Sequence, residues 1–152
     1  APPPHRMAEV ATVGGVRFID DSKATNIGAL QAALAGCEAP VVLIAGGRDK
    51  GGDYALLREV VGARVKRLIL IGEAAPLMRA ALAPVVPCEC AVDMADAVRR
   101  AVAATVPGDL VLLAPGCASF DMFSGYAERG RVFVDCVRRL QAERAGRGEV
   151  GA

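Results

Sequence analysis

The sequence has few aromatic residues, no tryptophan and a single histidine among its 152 residues. Lys and Arg together exceed Asp and Glu by only one (18 against 17), so no overall positive charge is available to hold a polyanion, and we expect no nucleic-acid partner. The longest apolar runs, such as Val41–Ala45 and Leu68–Ile71, are far shorter than the roughly 20 residues of a membrane helix. Because no signal-peptide pattern opens the sequence either, we expect a cytoplasmic protein with no membrane partner.

Several site types also lack their defining residues. The five cysteines include no CxxC pair, and Cys88-Glu89-Cys90 is only a weak metal signal, so we predict no metal site. His5 is the sole imidazole and no GxSxG motif occurs, which argues against a Ser-His hydrolase. Neither GxxxxGK[ST] nor GxGxxG is present, so the two common nucleotide-binding loops are excluded.

The length suits one domain with one core, and the hydrophobic and charged fractions are those of a globular chain. The opening Ala1–Pro4 contains three prolines, which is typical of an extended linker between domains. We therefore predict a linker remnant at 1–4, one domain at 5–143 and a flexible tail at 144–152.

Strand-prone and helix-prone segments alternate along the chain. The short β-prone runs Met7–Val13 and Val16–Ile19 flank a Gly-Gly pair that suits a hairpin turn. Further strands are predicted at Val41–Ala45, Arg67–Ile71, Pro87–Ala91 and Leu110–Ala114, and helices at Ile27–Ala35, Tyr54–Val61, Ala74–Leu82, Met94–Ala104 and Tyr126–Ala142. This alternation predicts an α/β, Rossmann-like fold: a mostly parallel sheet flanked by helices on both faces, with an N-terminal β-hairpin.

Three polar loops follow predicted strands, where ligands gather in open α/β sheets: Asp20–Asn26, Gly46–Gly52 and Pro115–Asp121. The first can bind an anion at a helix start or merely cap that helix. The glycines of the second can admit a ligand carboxylate or phosphate to the backbone, or simply permit a turn. In the third, Ser119 suits a hydrogen-bond donor, and Cys117 suits a buried apolar position better than a reactive thiol.

These loops, together with His5-Arg6 before them, carry a family resemblance. The runs Asp21-Ser22-Lys23-Ala24-Thr25-Asn26, Gly46-Gly47-Arg48-Asp49-Lys50-Gly51 and Pro115-Gly116-Cys117-Ala118-Ser119-Phe120-Asp121-Met122-Phe123 resemble, in order and separation, the MurD family of Mur ligases. The resemblance extends from His5 to about Leu140 and corresponds to the last of that family's three domains. Sibling ligases have a different sequence in place of the first run, so the resemblance implies the D-glutamate-adding branch.

The resemblance implies a two-step reaction in a complete enzyme. ATP phosphorylates the carboxylate of UDP-N-acetylmuramoyl-L-alanine, and the amine of D-glutamate then attacks the acyl phosphate. Arg6, Asp21 and Lys23 are implied to reach toward ATP and the acyl phosphate, with Lys23 as a catalytic residue. The residues implied to surround D-glutamate are Thr25, Lys50, Ser119, Phe120 and Tyr126.

The same resemblance implies that this chain is inactive alone. ATP and Mg²⁺ would be bound mainly by the family's central domain, whose P-loop, acidic magnesium ligands and modified lysine have no counterpart in this sequence. The family's N-terminal domain, which holds the UDP group, has no counterpart in this sequence either. The alternative is a stand-alone Rossmann-like module that binds a nucleotide or small acid. The missing GxGxxG counts against it.

Overall fold

The structure is a computed structural model, and it describes residues 4–119 and 121–147. Strands and helices alternate within these residues. The strands are β1 (Ala8–Val13), β2 (Val16–Asp20), β3 (Val41–Gly46), β4 (Val65–Ile71), β5 (Cys88–Cys90) and β6 (Leu110–Leu113). The α-helices are α1 (Ile27–Ala35), α2 (Arg58–Arg64), α3 (Ala75–Leu82), α4 (Met94–Ala103) and α5 (Tyr126–Gly146), and a 3-10 helix at Tyr54–Leu57 leads into α2.

The strands form one sheet in the order β1-β2-β6-β3-β4-β5. β1 pairs with β2 in an antiparallel hairpin, and the other neighbouring strands are parallel. The predicted mostly parallel sheet with an N-terminal hairpin is therefore confirmed. Among the described residues, no helix is both long and apolar enough to cross a bilayer.

Helices cover both faces of the sheet, as predicted. In the fully buried strand β3, Leu43 packs into a core that includes Leu34 of α1 and Met78 of α3. The next residue, Ile44, packs into the opposite core, which includes Phe133 of α5 and residues of α4. Because successive strand side chains point to opposite faces, an unbroken apolar run supplies both cores.

Two helices differ from their predicted bounds by more than one residue. The predicted helix Tyr54–Val61 is divided into the 3-10 turn and α2, and a side-chain oxygen of Asp53 accepts from the N–H of Ala55 at the start. Helix α5 continues to Gly146, and in this last part of the helix Arg144 packs against Gly14 in the β1–β2 turn. Residues 144–146 are thus helical rather than part of the predicted tail, whereas residues 1–3 of the predicted linker and 148–152 lie outside the described residues.

The strand order creates a crevice at one edge of the sheet. From β3 the chain proceeds to β4 and β5, and it then returns to place β6 on the other side of β3. After β3 the chain proceeds toward β4, whereas after β6 it enters α5, which packs toward β1 and β2 on the other side, so a gap opens where the carboxyl ends of β3 and β6 meet. Ligands of open α/β sheets bind at such switch points.

Candidate functional site

A cleft of about 380 Å³ opens at the carboxyl ends of β3 and β6, and we call it the switch-point cleft. All three loops singled out in the sequence contribute to its wall. Thr25 comes from the loop after β2, Arg48 and Lys50 from the loop after β3, and Ala118 from the loop after β6. Its volume lies in the lower part of the range for small-molecule sites, which suits a ligand as small as an amino acid.

The loop after β2 is fixed at both ends. A side-chain oxygen of Asp20 accepts from the N–H of Ser22 at 2.9 Å, which forms the turn that leaves the strand. At the other end Asn26 caps α1, because its side-chain oxygen accepts from the N–H of Ala29 at 2.8 Å. The capping interpretation is therefore correct for Asn26. Thr25 lies between these fixed points, half-buried on the cleft wall.

The glycines after β3 permit close packing between loops. Gly47 has φ 144°, and a Cβ there would lie 2.3 Å from the carbonyl oxygen of Ala118. The sequence leaves open whether these glycines admit a ligand or permit a turn, and at Gly47 the neighbouring loop occupies the space. The N–H of Arg48 also donates to the Ala118 carbonyl at 2.8 Å. The loops after β3 and β6 are thus fixed to each other.

Lys50 is exposed and lines the switch-point cleft. The preceding residue, Asp49, accepts from the Tyr54 hydroxyl at 2.7 Å, and its N–H donates to Glu73 at 3.0 Å. Burial, and then the hydrogen bond to Asp49, raise the pKa of Tyr54 far above its usual value, so the phenol stays a donor. These contacts hold the segment from which the Lys50 side chain extends.

The loop after β6 is almost wholly buried. Ser119 is 2% exposed and follows Ala118 in the chain, but it does not line the switch-point cleft itself. Its carbonyl oxygen accepts from the N–H of Phe123 at 2.9 Å. Cys117 is also buried, and burial raises the pKa of its thiol, which confirms its reading as a buried apolar residue. Phe120, the other residue predicted here, lies outside the described residues.

A second cluster lies on the side of the Lys23 loop away from the cleft. The Lys23 ammonium is 5.9 Å from the centre of the Tyr126 ring, and the rings of Tyr126 and His5 meet edge to face with centroids 6.1 Å apart. His5 Nδ1 lies 2.7 Å from Asp20 Oδ2. Tyr126 was grouped with the D-glutamate residues, but it packs beside Lys23 and does not line the switch-point cleft.

Arg6 and Asp21 lie at the base of this second cluster. Arg6 is exposed, whereas Asp21 is buried and its carboxylate accepts from the backbone N–H of Met7. Burial raises the pKa of Asp21, and the Met7 hydrogen bond and the Arg6 charge oppose that rise. The structure thus gives Asp21 a local contact with the segment that carries Arg6. Its role toward ATP stays a prediction.

Arg129 was not among the predicted site residues. It is only 1% exposed, and its Nη2 donates to the carbonyl oxygens of Ser22 at 3.3 Å and Cys117 at 2.9 Å. A sequence signal for it exists, since it lies four residues before Phe133 and eight before Val137, on the buried stripe of α5. Within residues 4–119 and 121–147, no group of three or more His, Cys, Asp and Glu side chains could hold a metal ion.

The fold and cleft define an α/β domain with a cleft at the switch point of its sheet. The chain belongs to the family of the Mur ligase, glutamate ligase domain, whose pattern matches residues 5–117. It is 51% identical over 137 residues to the UDP-N-acetylmuramoylalanine–D-glutamate ligase of Syntrophotalea carbinolica, and this match covers 90% of the chain and 30% of that protein. It is also 52% identical over 144 residues to the ligase of the same name from Aromatoleum aromaticum, and this match covers 93% of the chain and 31% of that protein.

Solved structures agree on the fold. A bifunctional folylpolyglutamate synthase/dihydrofolate synthase from Yersinia pestis aligns with TM-score 0.65 at 18% identity, over 89% of this chain and 31% of that one. A pseudomurein peptide ligase type C from Methanothermus fervidus aligns with TM-score 0.64 at 11% identity, over 92% of this chain and 30% of that one. The chain spans about 30% of the length of the curated relatives named above.

Proposed function

We propose that this chain is the C-terminal, D-glutamate-binding domain of a ligase that uses ATP to join D-glutamate to UDP-N-acetylmuramoyl-L-alanine, a step in making the peptidoglycan precursor. The observation that carries the proposal is the meeting of Thr25 and Lys50 on one cleft, whose wall also includes Ala118, the residue before the buried Ser119. That cleft occurs in a chain about half identical to ligases bearing this name.

The chemistry of the switch-point cleft suits a dicarboxylic amino acid. D-Glutamate carries two carboxylates, which need at least one cation and several neutral donors. Lys50 supplies the cation, and Thr25 supplies a hydroxyl on the same wall. We assign Ser119 and Phe120 to the same ligand, with the backbone of their loop as a further source of donors. Tyr126 completes the predicted set from the side of Lys23.

Lys23 and Arg6 suit the phosphate end of the reaction. Both are exposed cations on the second cluster, so their charges are available to a phosphoryl group presented by another domain. In the proposed amide-forming step, the amine nitrogen of D-glutamate attacks the carbonyl carbon of the acyl phosphate. The C–N bond forms, the C–O bond to phosphate breaks, and the amine gives up a proton. Lys23 stabilises the negative charge that builds up on the departing phosphate.

ATP and Mg²⁺ belong to this proposal through the part of the relatives that the chain does not cover. The complete protein would supply the groups that hold the nucleotide and the UDP-linked substrate, and the residues of this domain would close over them. We also assign the protein to the cytoplasm, where ATP is supplied. A stand-alone nucleotide-binding or small-acid-binding module is the competing function, and it would need no partner domain.

The test compares the complete protein with this chain alone. With ATP, Mg²⁺ and UDP-N-acetylmuramoyl-L-alanine, we expect the complete protein to release ADP when D-glutamate is added and not when L-glutamate is added. We expect the isolated chain to release none under the same conditions, because residues 4–119 and 121–147 contain no cluster of His, Cys, Asp and Glu side chains that could hold the magnesium ion of ATP. ADP release that depends on a different amino acid, or ligation by the chain alone, would overturn the proposal.

A further inference from the structure

Arg129 is the largest fully buried side chain among the described residues. It enters from the first turns of α5 and lies beneath the loops that form the candidate site. No carboxylate within residues 4–119 and 121–147 forms a salt bridge with it, and its Nε and Nη1 have no hydrogen-bond partner there. Its side-chain hydrogen bonds within the same residues are those to the backbone carbonyls of Ser22 and Cys117.

A buried guanidinium with only two hydrogen-bond acceptors and no salt bridge contributes little net free energy to the stability of a fold. Removing the charge from water is unfavourable, and two carbonyl acceptors return only part of the loss. Burial lowers the pKa of Arg129 to about 10, and the nearby charges of Asp121 and Asp20 only partly oppose the shift. An apolar residue of similar volume would avoid the desolvation cost, but it would leave the carbonyls of Ser22 and Cys117 without these donors. What the arginine adds is therefore a link between the two loops that carry these carbonyls.

The two acceptors lie in different site loops. Ser22 directly precedes Lys23, and Cys117 lies two residues before Ser119. The Nη1 atom also lies against Gly47, at the start of the loop that carries Lys50, since a Cβ at Gly47 would lie 2.9 Å from it. One planar group therefore touches all three loops.

We propose that Arg129 is a positioning residue that sets the spacing between the Lys23 loop and the Ser119 loop for catalysis. The proposal rests on the proposed ligase function. The guanidinium can serve this purpose because its donors lie in a rigid plane and reach two carbonyls at once. A site misplaced by about 1 Å can lose roughly two orders of magnitude in rate, so the spacing between these loops matters more than the strength of either contact.

The kinetic test uses Arg129→Lys in the complete protein, with Arg131→Lys, exposed two residues further along α5, as the matched control. Lysine keeps the charge but presents one point donor, so it cannot hold both carbonyls. We expect kcat/KM for D-glutamate to fall by about one to two orders of magnitude with a raised KM for D-glutamate, while the KM for ATP stays within about twofold. Arg131→Lys should match the wild type.

A merely structural Arg129 gives a different pattern. It would lower the amount of active enzyme, and hence apparent kcat, but leave every KM unchanged in Arg129→Lys, and that result would overturn the proposal. Should Arg129→Lys not fold, Arg129→Gln replaces it, since its amide still donates to one carbonyl. Failure of both variants to fold would also overturn the proposal.

A second measurement on the isolated chain does not depend on the ligase function. The N–H of Gly116 donates to the carbonyl oxygen of Ala24 at 2.8 Å. The rate at which this amide exchanges with deuterium therefore reports whether the loops after β2 and β6 stay in contact. We expect Arg129→Lys to speed exchange at Gly116 at least tenfold while amides of β3 stay protected. Unchanged exchange at Gly116 would contradict the inference that Arg129 holds the two loops together. If wild-type protein ligates no D-glutamate, the proposed function fails, and this exchange experiment still decides whether Arg129 joins the loops.

Discussion

The two exposed lysines of the site lie in different loops, Lys50 on the switch-point cleft and Lys23 beside Tyr126, and this separation predicts different kinetic effects. In the complete protein, Lys50→Ala should raise the KM for D-glutamate by about one to two orders of magnitude, since a charged hydrogen bond contributes roughly 1.5–3 kcal/mol. The KM for ATP should hardly change. Lys23→Ala should instead lower kcat severely and leave the KM for D-glutamate within a few-fold, because its charge acts on the phosphate that forms during reaction.

Steady-state kinetics with each substrate varied in turn measures this contrast. Lys66→Ala is a suitable control, because Lys66 lies near the start of β4, at the opposite edge of the sheet, where it pairs with Asp109 at 2.7 Å. Should Lys50→Ala leave the KM for D-glutamate unchanged while Lys23→Ala raises it strongly, the roles of the two lysines must be exchanged.

Among the secondary-structure elements, the start of α4 carries a pH-dependent contribution to stability. Asp96 accepts hydrogen bonds from the N–H of Val92 and from the side chains of Arg99 and Arg100. The Val92 hydrogen bond, then the one from Arg100, lower the pKa of Asp96 below 3.8. Because the folded-state pKa of Asp96 lies below the unfolded-state pKa, the ionised carboxylate stabilises the fold fully at pH values above the unfolded-state pKa. This contribution is lost as the pH falls through the folded-state pKa.

We therefore expect Asp96→Asn to lower the free energy of unfolding at pH 7 and to lower it progressively less at pH values below 3.8. Urea unfolding across this pH range measures the difference. Asp135→Asn, on the exposed face of α5, serves as the control and should change stability little at either pH. An equal loss for Asp96→Asn at neutral and acid pH would mean that the carboxylate contributes through packing rather than charge.

The elements were predictable because local patterns determine them. The apolar run of β3 and the stripe of α5 follow the periods of a buried strand and an amphipathic helix. The division of the 54–61 helix and the extension of α5 were not predictable from local patterns. The added turn of α5 lies where Arg144 contacts Gly14, which is far away in sequence. Helix ends depend on such tertiary contacts and not on composition alone.

The site was predictable in its loops but not in its internal arrangement. The sequence places Thr25 and Lys50 after parallel strands, and strands that share a carboxyl edge bring their loops together. It does not reveal that Gly47 makes room for Ala118, or that Tyr126 turns toward Lys23. Arg129 was missed because an arginine on a helix is ordinarily solvent-exposed, and only the packed structure shows it buried between two loops.

For the whole molecule, the main consequence of the structure is that the switch-point cleft is open to solvent on one side. Under the proposed function, a neighbouring domain of the complete ligase covers that side. Charge-assisted hydrogen bonds in an open, hydrated cleft lose most of their net contribution. We therefore expect D-glutamate to bind the isolated chain weakly, at millimolar concentrations or above.

The most direct test of the central claim is a titration of D-glutamate into the isotope-labelled chain, followed by NMR. The account predicts progressive shifts of the backbone amides of Thr25, Lys50 and Ser119 at millimolar D-glutamate, with smaller shifts for L-glutamate. Amides lining the surface groove between α4 and α5, such as Val98 and Leu140, serve as the internal control and should not move. Shifts confined to that groove, equal responses to both enantiomers, or binding at micromolar concentrations would contradict a D-glutamate site that another domain must complete.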